Sequence, residues 1–311
     1  MTATPSIVLG ANVFGWSVPA EQSTAILDAA LERGLTAIDT ADVYSHWAPG
    51  NVGGESETII GNWMRKRGNR SRLQIHTKGG APGAPGHLAN ANATGAYLTK
   101  AVDASLRRLG IDCIDLYYVH YDDKVTPPED TLGGLQRLIE QGKIRAIGAS
   151  NYSPERLTLA METSAKHGLP RFSCLQTHYN LADRSGFESG LGPVCANYGL
   201  SVFAYYALAK GFLTGKYRNA GDAAKSAARG GGATAYLTPR GLRILAALDK
   251  VSAAHNANDA QVALAWLTSR PRVKAIASAT SIPQLDDLAA AMTLKLSPGD
   301  IAALDAASVG G

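Results

Sequence analysis

The sequence predicts a closed α/β barrel of eight parallel strands, an (α/β)8 TIM barrel. Three observations carry that prediction. Eight short apolar runs alternate with amphipathic helical stretches along the whole chain. Seven of these runs end on polar or aromatic residues, in order Asp39, Lys78, His120, Ser150-Asn151, Gln176, Tyr205 and Ser278. The fingerprint G-x-G-x-x-G of an open doubly wound dinucleotide fold occurs nowhere. In a parallel barrel every strand C-terminus lies on one face, so these endings are expected to converge on one pocket.

The elements follow in order. Ile7–Gly10 is the first strand. A helix from about Ala20 to Arg33, stopped by Gly34, leads to Thr36–Asp39. Glu55–Arg67 leads to Leu73–Lys78. Residues 94–109, with Val102, Leu106 and Leu109 at helical spacing, lead to Asp115–His120. Glu129–Glu140 precedes Ile144–Ser150, and Pro154–His167 precedes Ser173–Gln176. A helix near residues 188–198 precedes Ser201–Tyr205, and helices at Arg240–His255 and Ala260–Ser269 precede Val273–Ser278. The Gly- and Ala-rich stretch Asn219–Tyr236 has no periodicity and reads as a mobile loop of the kind that covers a site. One domain over residues 1–311 is expected.

Composition narrows the function. With 45% apolar and 18% charged residues, the 311-residue chain has the balance of a globular enzyme. The net charge of +4 is scattered except in Met64–Arg72, a solvated helix end without the interleaved aromatics of a nucleic-acid surface. Neither a secretion signal nor an apolar run of about 20 residues is present, so no membrane is expected as partner. Cys113, Cys174 and Cys195 form no C-x-x-C pair and read as buried thiols of a cytoplasmic protein. Gly211–Lys216 resembles a P-loop, but its glycines are one residue too close and Tyr217 stands where Ser or Thr is needed.

Asp39, Tyr44, Lys78 and His120 lie at or just beyond three strand ends. A phenol with an ordinary pKa of about 10 donates its proton reluctantly. A nearby ammonium from Lys78 would make it more acidic, Asp39 would keep that ammonium charged, and His120 would orient a carbonyl or share the proton. The set reads as a proton-donating device. No metal-ligand cluster or nucleophile–base pair supports a hydrolase or lyase.

The segments AIDTADVYSHWAPGNVGGESE (37–57), IHTKGG (75–80), IDLYYVH (114–120), GKIRAIGASNYS (142–153) and FAYYALAKGFLTGKY (203–217) closely resemble the aldo-keto reductase superfamily, in its order and spacing. The resemblance implies a barrel that binds NADPH or NADH without a Rossmann fold and exchanges hydride with a carbonyl or alcohol. It implies that Asp39, Tyr44, Lys78 and His120 are the catalytic tetrad, with Tyr44 as the acid. Ser150, Asn151 and Gln176 match the residues that bind the nicotinamide carboxamide, and Tyr205 the aromatic under its ring. Gly10, Ala11 and Asn12 match the loop beside the nicotinamide. Ala207, Leu208, Ala209, Gly211 and Lys216 match the pyrophosphate segment, and Ser278, Thr280, Gln284 and Asp287 the adenosine end.

Departures qualify the cofactor. Ser278 and Gln284 stand where many relatives hold Lys or Arg against a 2′-phosphate, and Leu288 replaces a common Asn. NADP(H) is expected as the preferred cofactor and NAD(H) as a usable one, with Lys225 or Arg229 available to complete a phosphate site. Trp16, His46, Trp47, Tyr121 and Tyr206 are the expected substrate walls, for small aldehydes or ketones. The competing reading is a cofactor-binding regulator resembling the potassium-channel β subunits.

Overall fold

The computed structural model describes residues 4–83, 89–225 and 230–310. Strands and helices alternate as β1 (Ile7–Gly10), α1 (Ala20–Glu32), β2 (Ala37–Asp39), α2 (Glu55–Arg67), β3 (Gln74–Gly79), α3 (Gly95–Leu109), β4 (Leu116–Val119) and α4 (Pro128–Glu140). They continue as β5 (Ile147–Ser150), α5 (Pro154–His167), β6 (Cys174–His178), α6 (Gly192–Tyr198), β7 (Ser201–Tyr205), α7 (Gly230–Thr234), α8 (Pro239–His255), α9 (Asp259–Thr268), β8 (Val273–Ala277), α10 (Ile282–Thr293) and α11 (Pro298–Ser308). The eight strands pair in parallel and in sequence order, and β8 closes on β1 through Ile7↔Ala275.

Local chemistry explains the helix boundaries. Thr94, Ser153, Thr238, Asn258 and Ser297 each accept a backbone N–H at a helix start, and Asn258 and Ser297 complete capping boxes. Gly68, Gly110, Gly168 and Gly199 end helices in left-handed backbone.

The period-two alternation of strands explains why the site lies where it does. Val8, Ala37, Leu116, Tyr118, Cys174, Phe203 and Ile276 form a buried cluster inside the barrel, separate from the larger shell between strands and helices. Gly148 leaves room for it, since a Cβ there would meet the Tyr118 ring at 2.6 Å and Cys174 Sγ at 2.7 Å. Two residues further along each strand, on the same face, stand Gly10, Asp39, His120, Gln176, Tyr205 and Ser278. The apolar plug therefore ends where the polar face begins.

The structure departs from the sequence expectation in four places. Asn219–Tyr236 is not a structureless loop: Ala220–Lys225 forms a 3-10 turn and Gly230–Thr234 a short helix, with residues 226–229 outside the description. The Phe212 ring stacks on Tyr236 at 5.4 Å and Gly232 lies against the Lys210 stem, contacts that no local periodicity encodes. The helix near 188–198 begins as a π turn, Phe187–Leu191, before α6. Helices α10 and α11 were not anticipated. Cys113 is only half-buried, although Cys174 and Cys195 are buried and all three are free.

Helices α3 and α4 touch through glycine. A Cβ on Gly134 would come within 2.3 Å of Gly95 Cα, a backbone atom that cannot rotate away. Gly134→Ala gains about 1 kcal/mol of helix propensity but overpacks by ~1–3 kcal/mol. We expect a net loss of about 1–2 kcal/mol in urea unfolding; a more stable variant would show that the two helices can separate freely.

Candidate active site

Strands β2 and β3 and the loop after β2 bring Asp39, Lys78 and Tyr44 into direct contact. Lys78 is fully buried, and its three ammonium hydrogens have three acceptors: Asp39 Oδ1 at 2.6 Å, the Thr40 carbonyl at 2.7 Å and Tyr44 Oη at 2.9 Å. The other Asp39 oxygen accepts from Gln176 Nε2 at 2.8 Å, which ties β6 to the same group. Ser45, in left-handed backbone, donates to the Phe14 carbonyl at 2.6 Å and fixes the turn that carries Tyr44. The His120 ring stands 6.1 Å from the Tyr44 ring, nearly perpendicular to it.

Burial dominates the proton affinities. It pushes Lys78 down, but the charge and hydrogen bonds of Asp39 and Tyr44 outweigh that and leave the ammonium above its ordinary value. Burial raises the Asp39 carboxyl, opposed by Lys78 and Gln176. The sequence expectation that Lys78 makes Tyr44 more acidic needs correction: burial raises the phenol by more than Lys78 lowers it, leaving a firm O–H near neutral pH. Burial, then Lys78, depresses His120 well below the ordinary range, so its ring is neutral and does not share a proton as a cation.

A cleft of about 970 Å³ crosses the strand ends. Its lining includes Gly10, Asn12, Asp39, Tyr44, His120, Ser150, Asn151, Gln176, Tyr205, Ala207, Leu208, Gly211, Lys216, Ser278, Thr280, Gln284 and Asp287, together with Trp47 and Tyr121. Four expected residues do not line it. Lys78 lies beneath Tyr44; Ala11 and Ala209 are fully buried; Trp16 stands behind Trp47, edge-on at 5.7 Å. Ala11 serves the frame instead, its N–H donating to the Asp39 carbonyl at 2.8 Å and its carbonyl accepting from Ser56 Oγ.

At the centre of the cleft, Asn151 donates to the His120 carbonyl at 2.9 Å and accepts from Tyr205 Oη at 2.9 Å. Tyr205 lines the cleft, while His178, its register partner on β6, stacks on it at 5.6 Å with the rings 10° from parallel. His178 Nε2 lies 3.0 Å from Asp183, which also accepts from Asn180 and Tyr236. The strand runs two residues beyond the Gln176 end expected from the sequence, and His178 in that extension forms this bracket. The segment after β7 turns through left-handed residues Tyr206, Ala209, Lys210 and Gly211, and Lys210 and Lys216 line the cleft from it.

At the far end Ser278 donates to Asn12 Oδ1 at 2.6 Å and Gln284 Oε1 accepts from the Thr280 N–H at 2.8 Å. Asp287 accepts from Asn258 at 2.6 Å and from Gln261 at 2.9 Å. Lys225 does not reach over this end: it pairs with Asp222 at 2.9 Å and donates to the Lys216 carbonyl. Arg229 lies outside the described residues. Among the described residues no cluster fit to hold a metal exists and no helix is long and apolar enough to cross a membrane.

Comparison with known proteins gives a consistent answer. Residues 6–309 match the model of the aldo/keto reductase family. The chain is 31% identical over 291 residues to the NADP(+) aldo-keto reductase yakc of Schizosaccharomyces pombe, covering 90% of this chain and 81% of that one. It is 32% identical over 311 residues to L-glyceraldehyde 3-phosphate reductase of Escherichia coli, covering 97% and 88% of the two chains. It is also 32% identical to Protein tas of Escherichia coli, covering 96% and 92%.

Two residues before Tyr44, Asp42 is buried with Oδ1 unpartnered among the described residues. Burial and the nearby Glu57 carboxylate push its carboxyl up to about 8, against the pull of Arg108. An unfolded aspartate ionises near 3.9. The fold therefore holds this proton between about pH 4 and pH 8, and stability falls as pH rises through that window. Asp42→Asn should gain little at pH 5 but raise the Tm by about 3 °C or more at pH 8.5; a gain independent of pH would contradict the assignment.

Proposed function

The chain belongs to the aldo/keto reductase family and is an oxidoreductase, and we propose that it reduces small aldehydes and ketones with Tyr44 as the proton donor. The observation that carries this reading is the hydrogen bond from Lys78 to Tyr44 Oη. The phenolic oxygen accepts from the ammonium, so its own hydrogen is left for a carbonyl oxygen in the cleft.

The residues along the cleft fit a nicotinamide dinucleotide. Ser150, Asn151 and Gln176 offer hydroxyl and amide groups at its centre, and Tyr205 offers an aromatic platform. The left-handed backbone after β7 and the two lysines beside it suit a pyrophosphate. When bound, the cofactor supplies the hydride. Tyr44 gives its proton to the carbonyl oxygen as negative charge develops there, and Lys78 stabilises the phenolate left behind. Asp39 keeps Lys78 charged and aimed. His120, neutral, orients the carbonyl by a hydrogen bond. In the reverse direction Tyr44 takes back the alcohol proton.

NADP(H) is the preferred cofactor in this proposal, with NAD(H) also used. Asp287 faces the adenosine end and Lys225 is already paired, so a 2′-phosphate finds fewer cations here than a dedicated site provides. The three free thiols suit a reducing compartment, and we place the protein in the cytoplasm. Nothing observed favours the regulator over the enzyme.

Tyr44→Phe should lower kcat for carbonyl reduction by about 10²-fold or more while the cofactor Kd, read by fluorescence titration, stays within about twofold. Near-normal turnover would remove Tyr44 from the proton-donor role. Because the phenol lies above its ordinary value, the reduction rate should be flat through neutral pH and fall only above about pH 10. In the same titration we expect NADPH to bind more tightly than NADH by about tenfold; a ratio above about a thousandfold would require a phosphate site made by residues other than those named.

A further inference from the structure

Resting on the reductase reading, we propose that the carbonyl half of the cleft selects uncharged aromatic aldehydes and rejects aldehydes that carry phosphate or carboxylate. The loops that follow β1, β2 and β3, residues 11–19, 40–54 and 80–94, contain no lysine or arginine at all. Because this is a property of the sequence, it holds for residues 84–88 as well. The loop after β4 contains Lys124, but that residue is exposed, follows Asp122 and Asp123, and does not line the cleft. The nearest ammonium, Lys78, is fully buried with all three hydrogens taken.

Among the described residues the cations that line the cleft are Lys210 and Lys216, on the other side, on the segment after β7, where two pyrophosphate charges would engage them. The Lys210 ammonium also sits 5.6 Å over the Tyr206 ring. An anionic substrate with its carbonyl at Tyr44 would leave water without gaining a partner for its charge, which is costly.

Flat aromatic surface stands in place of charge. Trp47 and Tyr121 are 41% and 40% exposed although both border the cleft. Trp47 lies 5.9 Å from the Tyr44 ring and Tyr121 lies 5.3 Å from the His120 ring, so they flank the two side chains that would hold the carbonyl. Trp47 is braced edge-on by Trp16 at 5.7 Å and by His46 at 5.2 Å, which fixes its plane before anything binds. Val43, Ala81 and Pro82 complete an apolar wall. Such a wall rewards a ring attached to the carbonyl and offers a polyol little.

The test is kcat/KM with NADPH for benzaldehyde, glyceraldehyde and glyceraldehyde 3-phosphate. We expect benzaldehyde to exceed glyceraldehyde by at least tenfold and the phosphorylated aldehyde by at least a hundredfold. Trp47→Ala and Tyr121→Ala should each reduce the benzaldehyde-to-glyceraldehyde ratio about tenfold. Ser17→Arg, at an exposed position lining the cleft beside Trp16, should raise kcat/KM for the phosphorylated aldehyde about tenfold. Turnover of glyceraldehyde 3-phosphate at or above that of benzaldehyde, or an unchanged ratio in both alanine variants, overturns the substrate class and leaves the reductase intact. Absence of NADPH oxidation with all three overturns the reductase reading itself.

Discussion

A single buried ammonium organises the polar face at the strand ends. Removing a lysine charge from water costs several kcal/mol unless every hydrogen finds an acceptor, and Lys78 meets that condition with one acceptor each from Asp39, Thr40 and Tyr44. Those three come from β2 and the loop behind it, so the ion pair holds that loop to β3. Gln176 extends the constraint across the barrel by donating to the second Asp39 oxygen. The Lys78–Tyr44 geometry is thus a consequence of solving a burial problem. A loop that let Tyr44 drift would leave an ammonium hydrogen unpaired, and the penalty of that state keeps the phenol in place.

The same burial alters the acid chemistry in a direction that pairwise charge reasoning does not give. An ammonium beside a phenol favours the phenolate, yet withdrawal of both from water raises the phenol overall. In the proposed mechanism the group is a proton reservoir at rest, and the benefit of Lys78 falls on the phenolate that exists after transfer. Stabilising the product of the proton transfer more than the resting state is what a catalyst requires.

Much of this was legible in the sequence because the barrel translates strand periodicity directly into a face. Residues two apart on a strand share an orientation, so the inward apolar residues Val8, Ala37, Tyr118, Cys174, Phe203 and Ile276 announce Gly10, Asp39, His120, Gln176, Tyr205 and Ser278. What failed to show has physical reasons as well. Ala11 and Ala209 adjoin the cleft in sequence but turn their methyl groups inward, and no local pattern distinguishes a loop alanine that faces a cavity from one that faces a core. The ordered turns within Asn219–Tyr236 depend on Phe212 and on the Lys210 stem, contacts between segments and not within one. His178, the ring stacked on Tyr205, lies two residues beyond the Gln176 strand end that the sequence marks, and only pairing with β7 extends the strand to it.

That stacked pair shows how the face separates its tasks. Tyr205 presents to the cleft while His178 stacks on its ring, and Asp183 fixes His178 while also receiving Asn180 and Tyr236. Asn180 in turn donates to the carbonyl of Tyr206, where the backbone enters its left-handed run. The short stretch His178–Asp183 therefore holds both the Tyr205 ring and the entry of the lysine-bearing segment. The lysines that line the cleft lie on the segment after β7, and Trp47 and Tyr121 line it from the loops after β2 and β4. The two halves are joined through Gln176, which donates to Asp39, and through Asn151, which donates to the His120 carbonyl and accepts from Tyr205, so the Lys78–Tyr44 contact is held from both sides of the cleft.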